Sequence, residues 1–174
     1  LTVVLEIVAV KVDIYVVPKS DKGEEIDFAF RYLMYLAIPV FAMVIAVLVT
    51  SSIAGSARFP DEDGPAQFGR GAAPMTWFVL TALLTAAVMI YPGLITTPKV
   101  VGKAKDPDVR VKVEGVQWTW IISYPDAQVD GAREIVLPVD ATVRFDITSR
   151  DVLHSFWIPS FLMKIDAVPG LTTT

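Results

Sequence analysis

Two stretches without a single charged side chain, residues 32–57 and 71–98, constrain this chain more than any other feature. A helix needs ~20 mostly apolar residues to cross the hydrocarbon core of a bilayer. Each stretch is long enough. Arg31, Tyr32 and Tyr35 stand where the first would meet the headgroups, and Trp77 and Tyr91 lie toward the two ends of the second. Pro39 can kink the first helix, and neighbouring helices can cover the carbonyl it frees. The polar stretch from Arg58 to Arg70 contains Pro60, Asp61, Glu62, Asp63, Gly64 and Pro65, and reads as a linker. The pattern predicts a transmembrane helical hairpin over residues 28–98, with spans at about 30–55 and 73–97. Pro92–Gly93 is predicted to mark the exit of the second span. Lysine and arginine do not orient the hairpin. Arg58 and Arg70 flank the linker, but Lys99, Lys103 and Lys105 follow the second span.

Residues 1–17 are apolar but carry Glu6, Lys11 and Asp13. They read either as the end of a further transmembrane helix or as an amphipathic surface helix or signal remnant. Pro18 and the charged run from Lys19 to Asp27 end this segment in both readings. Leu1 opens inside an apolar run, so residues are expected to precede it.

After Pro107 the apolar period falls to two. Val109, Val111 and Val113 alternate with Arg110, Lys112 and Glu114, the pattern of a half-buried strand. Residues 117–124, 134–138 and 142–148 read as further strands, with Trp118 and Trp120 on one face. Short strands separated by turns suggest a sandwich or barrel. Together these readings predict a membrane α+β protein: a helical hairpin followed by a β domain over residues 107–174.

Composition narrows the chemistry. The net charge is −4 and no basic cluster exists, so nucleic-acid binding has no footing. The acidic excess suits a cationic soluble partner. There is no cysteine, so these residues build neither a disulfide nor a thiolate metal site. His154 is the one histidine. It follows the polar turn Ser149–Arg150–Asp151 and precedes Phe156–Trp157. An imidazole among apolar neighbours is a good copper ligand, and equally a residue that caps a turn or packs in a core.

Its surroundings carry more weight. Gly115–Val116–Gln117–Trp118–Thr119–Trp120, Tyr124–Pro125, Leu137–Pro138, the run from Thr148 to Pro159 and the run from Lys164 to Gly170 occur in that order. Over roughly residues 28–174 the chain resembles subunit II of cytochrome c oxidase. The resemblance implies a cupredoxin-like β-barrel on the extracytoplasmic side of a bacterial plasma membrane. It further implies a dinuclear copper centre, CuA, taking electrons from cytochrome c and passing them to haem in subunit I. Haem and CuB would belong to that subunit, with subunit III a further partner and lipid around the helices. His154 matches the first copper ligand. Trp118 matches the tryptophan where electrons enter, and Trp120 reads as packing. Asp151 matches a position near the carrier's footprint, and Asp126 is a docking candidate by charge. Lys164 and Asp166 match a motif near the interface with subunit I, with a structural ion pair as the alternative.

The remaining family ligands form a Cys-x-x-x-Cys-x-x-x-His-x-x-Met motif, expected beyond Thr174. The competing readings are a copper-free quinol oxidase subunit II and a membrane-tethered module that only assembles a complex. One departure stands out. Many relatives have a glutamate just before the second span, at the mouth of a proton pathway. Here the position falls near Pro74, and that role is either lost or moved to Asp61, Glu62 or Asp63.

Overall fold

The computed structural model describes residues 2–11, 16–54 and 71–174. The acidic linker residues Asp61, Glu62 and Asp63 lie outside the described residues. The chain divides into two compact units, Leu1–Tyr15 with Glu25–Lys99, and Val16–Glu24 with Val100–Thr174.

The first unit is helical. Helix α1 covers Thr2–Lys11, α2 Asp21–Ala54 and α3 Ala72–Val88. At 1.5 Å per residue, the 34 residues of α2 extend about 51 Å. Two continuous helical stretches, Asp21–Ile53 and Ala72–Val101, are long and apolar enough to cross a membrane. Their apolar side chains face outward: Val47, Leu48, Phe78 and Leu83 are all exposed. Water would penalise such a surface, whereas hydrocarbon would not. Pro39 sits inside α2.

Pro92 does not end the second stretch as the sequence pattern predicted. The chain widens into a π turn over Met89–Leu94 and resumes as α4, Thr96–Val101. Proline lacks an N–H and its ring crowds the carbonyl four residues back. The wider turn absorbs both, and the Ile95 N–H donates to the Ile90 carbonyl at 3.2 Å. Aromatic edges secure this region. Tyr91 packs T-shaped on Phe28 at 5.4 Å and on Tyr32 at 5.0 Å. Lys99 pairs with Glu25, and Arg31 pairs with Asp27 at 2.8 Å.

The second unit is a β-sandwich. Strands β1 (Val109–Val116), β2 (Thr119–Tyr124), β3 (Val129–Ala132) and β4 (Val143–Ser149) form one sheet in the order β3-β2-β1-β4. β1 and β4 run parallel, and the other pairs are antiparallel. Strands β5 (His154–Ile158) and β6 (Met163–Ala167) form the second sheet. Val111, Val113, Ile122, Ile147, Phe156 and Ala167 meet between the sheets as the core. The period-two alternation of β1 places Val111, Val113 and Gly115 inward. Thr173 closes part of the free edge of β4, exchanging two 2.8 Å backbone hydrogen bonds with Ile147.

Two predicted strands are corrected. Residues 117–124 are not one strand: Val116 pairs with Thr119, so Gln117 and Trp118 are the two turn residues of the β1–β2 hairpin. Residues 134–138 are not a strand either, and β3 lies earlier. The backbone of Val136 bonds to a side chain instead of a ladder. Its N–H donates to Tyr124 Oη at 2.8 Å, and that hydroxyl donates to its carbonyl at 3.2 Å. Pro138 has no N–H to offer a neighbour.

The stretch Val16–Glu24 also belongs to this unit. The Lys19 N–H donates to the Ser160 carbonyl at 2.7 Å. Ser20 Oγ caps the start of α2 by accepting the Gly23 N–H at 3.1 Å. A Cβ at Gly23 would stand 2.9 Å from the Phe161 carbonyl oxygen, so only glycine permits this approach.

Candidate functional site

Three pieces of chain converge at one end of the sandwich: the β1–β2 hairpin tip, the turn Ser149–Val152, and the start of β5. His154 opens β5 and pairs with Ala167 of β6. Its ring stands edge-on to Trp120 at 5.6 Å, and Trp120 packs on Phe156 at 5.2 Å. A Cβ at Gly115 would lie 2.8 Å from His154 Cδ2 and 2.9 Å from Cγ. The imidazole therefore lies flush on the β1 backbone, its side chain only 17% exposed.

Asp151 ties the three pieces together. The Gln117 N–H donates to Asp151 Oδ2 at 2.7 Å, and the Val152 N–H donates to Oδ1 at 2.7 Å. His154 Nε2 stands 2.7 Å from Oδ1, and Ser149 Oγ reaches the same oxygen at 3.3 Å. The turn is laced to β1 once more by the Arg150 N–H, which donates to the Gly115 carbonyl at 3.0 Å. The hydrogen bond from His154 holds the Asp151 carboxyl well below the usual carboxylate range. The Gln117 and Val152 amides add to that effect, and partial burial opposes it. An ionised carboxylate only accepts hydrogen bonds, so Nε2 carries the hydrogen. Nδ1 is the ring nitrogen that Asp151 does not engage.

An imidazole whose far nitrogen is held by a carboxylate is a common arrangement for a metal-ligating histidine. His154 thus fits as one imidazole ligand of a copper site. The described residues contain no group of three or more His, Cys, Asp or Glu able to hold an ion.

Trp118 stands at the hairpin tip and is 92% exposed. Trp120, two residues on, packs inward. A regular strand would put both on one face, and the turn at Gln117–Trp118 separates them. Asp126 lies in the 3-10 turn Pro125–Ala127, at the far end of six-residue β2. That is roughly 20 Å of strand away from Trp118. Lys164 and Asp166 are exposed on β6, in register with Trp157 and Ser155, and no ion pair between them occurs among the described residues. Sequence reasoning missed Gly115, Ser149 and the Gln117 amide. A lone glycine in a valine-rich strand is a signal of close approach that could have found the first. The other two act through contacts distant in sequence.

The family model described as cytochrome c oxidase subunit II, periplasmic domain, matches residues 127–174. The chain is 46% identical over 94 residues to cytochrome c oxidase subunit 2 of Thermostichus vulcanus, covering 54% of this chain and 28% of that protein. It is 31% identical over 175 residues to the probable cytochrome c oxidase subunit 2 of Rickettsia bellii, covering 88% of this chain and 64% of the relative. These matches support a subunit II identification.

It spans less than two thirds of the length of these two subunit II relatives. Among solved structures it is similar to the periplasmic domain of subunit II of cytochrome oxidase of Bradyrhizobium japonicum. That match has 32% identity and a TM-score of 0.37, and covers 41% of this chain and 63% of the other. Two long apolar helices followed by a β-sandwich unit make this a membrane α+β architecture.

Proposed function

We propose that this chain is the electron-accepting subunit of a terminal respiratory oxidase in a bacterial plasma membrane, its β unit on the periplasmic side. It takes single electrons from cytochrome c or a similar soluble carrier at a CuA centre and passes them to haem in subunit I. Oxygen is reduced to water there, at haem and CuB, with coupled proton translocation. The observation that carries this reading is the placement of Trp118. A large indole stands 92% exposed at the tip of the hairpin whose Gly115 backbone lies against the His154 ring. An indole this exposed packs little within the β unit and is available to a partner.

His154 offers an imidazole nitrogen, and copper bound there would accept and release one electron at a time. Gly115, Trp120 and Asp151 restrict the ring from three sides, so little reorganisation accompanies a change of charge. The net charge of −4 favours encounter with a cationic carrier. Lys164 and Asp166 lie on the outer face of β6, a face available to subunit I.

The test uses the full-length chain purified within its oxidase. Copper analysis and electron paramagnetic resonance should find the dinuclear complement and the signal of a mixed-valence pair. Trp118→Ala should lower carrier oxidation by ~tenfold or more, about 1.4 kcal/mol of barrier. Turnover with quinol and no copper would establish the copper-free quinol oxidase reading instead. Unchanged electron transfer after replacing both Trp118 and His154 would reduce the chain to an assembly module.

A further inference from the structure

We infer that Lys19–Gly23 is a clasp that keeps the β5–β6 hairpin closed from its turn end, and so holds the strand that carries His154 in its copper-binding position. The inference rests on the reading of His154 as a copper ligand just given.

The β unit contains two hairpins with the same turn chemistry. β2 passes to β3 through Pro125–Ala127 and Gln128, and β5 passes to β6 through Pro159–Phe161 and Leu162. Each turn opens on proline and ends on a left-handed residue, Gln128 at φ 55° and Leu162 at φ 53°. In each, the N–H of that residue donates to the proline carbonyl, at 3.3 Å and 3.0 Å respectively. Side chains other than glycine resist this backbone conformation, so neither turn closes without cost.

Their surroundings differ. Pro125–Gln128 is exposed throughout, and among the described residues no segment distant in the chain reaches it by a backbone hydrogen bond. Ser160, Phe161 and Leu162 are half-buried. The Lys19 N–H donates to the Ser160 carbonyl at 2.7 Å. A Cβ at Gly23 would meet the Phe161 carbonyl oxygen at 2.9 Å and the Pro18 side chain at 3.2 Å. Two successive carbonyls of the turn thus lie against one short segment. That segment is itself fixed, by the Ser20 cap and by Lys22 Nζ, which donates to the Gly102 carbonyl at 2.5 Å.

The clasped hairpin is the one that needs support. β2 and β3 belong to a four-stranded sheet, whereas β5 and β6 form a sheet of two strands. A two-stranded sheet is marginal unless something packs against it. Toward the His154 end, Phe156 and Ala167 are buried in the core. At the turn end, Ile158 and Met163 are only half-buried. The ladder runs without interruption from Ile158–Met163 to His154–Ala167, so opening that starts at the turn travels rung by rung toward the imidazole. Copper leaves an enclosed site when a ligand swings away, and local opening of this hairpin is such a route.

The experiment takes the intact oxidase with Gly23→Ala and Gly23→Val, and compares deuterium exchange in the two hairpins. The expected result is exchange ~tenfold or more faster along β5–β6, with β2–β3 within about twofold of the parent. Copper release to a strong copper(I) chelator should accelerate in step, more in the Val variant than in the Ala variant. Lys19→Pro removes the donor to Ser160 without adding bulk at Gly23, so it provides the readout if the Gly23 variants fail to assemble. Three results would overturn the clasp: unaltered exchange along β5–β6, equal acceleration in both hairpins, or faster exchange along β5–β6 with copper release unchanged. A parent oxidase without copper would instead remove the underlying reading. The comparison between hairpins separates the two failures, because exchange requires no copper.

Discussion

The two units use apolar residues in opposite ways. In the helical unit, leucine, valine and phenylalanine line the outside: Leu83 is 63% exposed and Phe78 67%. In the β unit the same residue types are hidden between sheets, and Ile147 is 2% exposed. The contrast teaches what each unit takes as its solvent. One excludes water by lying in hydrocarbon, the other by folding back upon itself.

The comparison is broken most strongly by emptying the β core. Ile147→Ala should cost about 2–5 kcal/mol, read from denaturant unfolding of the β unit in the full-length protein. The parallel change Leu83→Ala in the helical unit should cost much less, because lipid fills the space. A result of equal size would mean that α3 packs against protein rather than lipid. Leu83→Arg sharpens the same contrast. At an exposed site of a soluble helix it would be nearly neutral, but at the centre of a membrane span it costs about 3 kcal/mol. Membrane integration, measured by glycosylation mapping or carbonate extraction, should fall clearly.

The smallest effect is electrostatic and confined to the β unit. The Arg150 guanidinium, helped by Lys112, holds the Glu114 carboxyl below the ordinary glutamate value of 4.5, with partial burial working against them. The folded state therefore binds fewer protons than the unfolded chain near that pH. The pair's contribution is fully present above about pH 4.5 and is lost as pH falls through the lower folded value. The Arg150 side chain is 56% exposed, so screening limits the contribution to under ~1 kcal/mol. Melting curves from pH 7 to pH 3 should show a shallower acid decline in Glu114→Gln. An unchanged slope would remove this pair from the acid limb.

Much of this architecture was legible because it follows from period and length. An uncharged stretch of spanning length has few alternatives, and Val109, Val111 and Val113 declare a strand by alternation alone. Failures came where a local signal met a distant partner. Pro92–Gly93 looked like a stop, yet a π turn and the packing of Tyr91 on Phe28 and Tyr32 carry the helix onward. Residues 134–138 looked like a strand, yet the Tyr124 hydroxyl takes both backbone groups of Val136.

For the site, the sequence by itself determined which groups are present. It supplies one imidazole, a tryptophan in a Gln-Trp-x-Trp run, and an aspartate three residues before the histidine. Those identities are chemistry written residue by residue. Only the tertiary structure decided their relation, because hydrogen bonds across 34 positions and a glycine flush against an imidazole depend on the parallel pairing of β1 with β4. Separation in space between residues far apart in the chain is set by how the sheets pack, and no local periodicity encodes it.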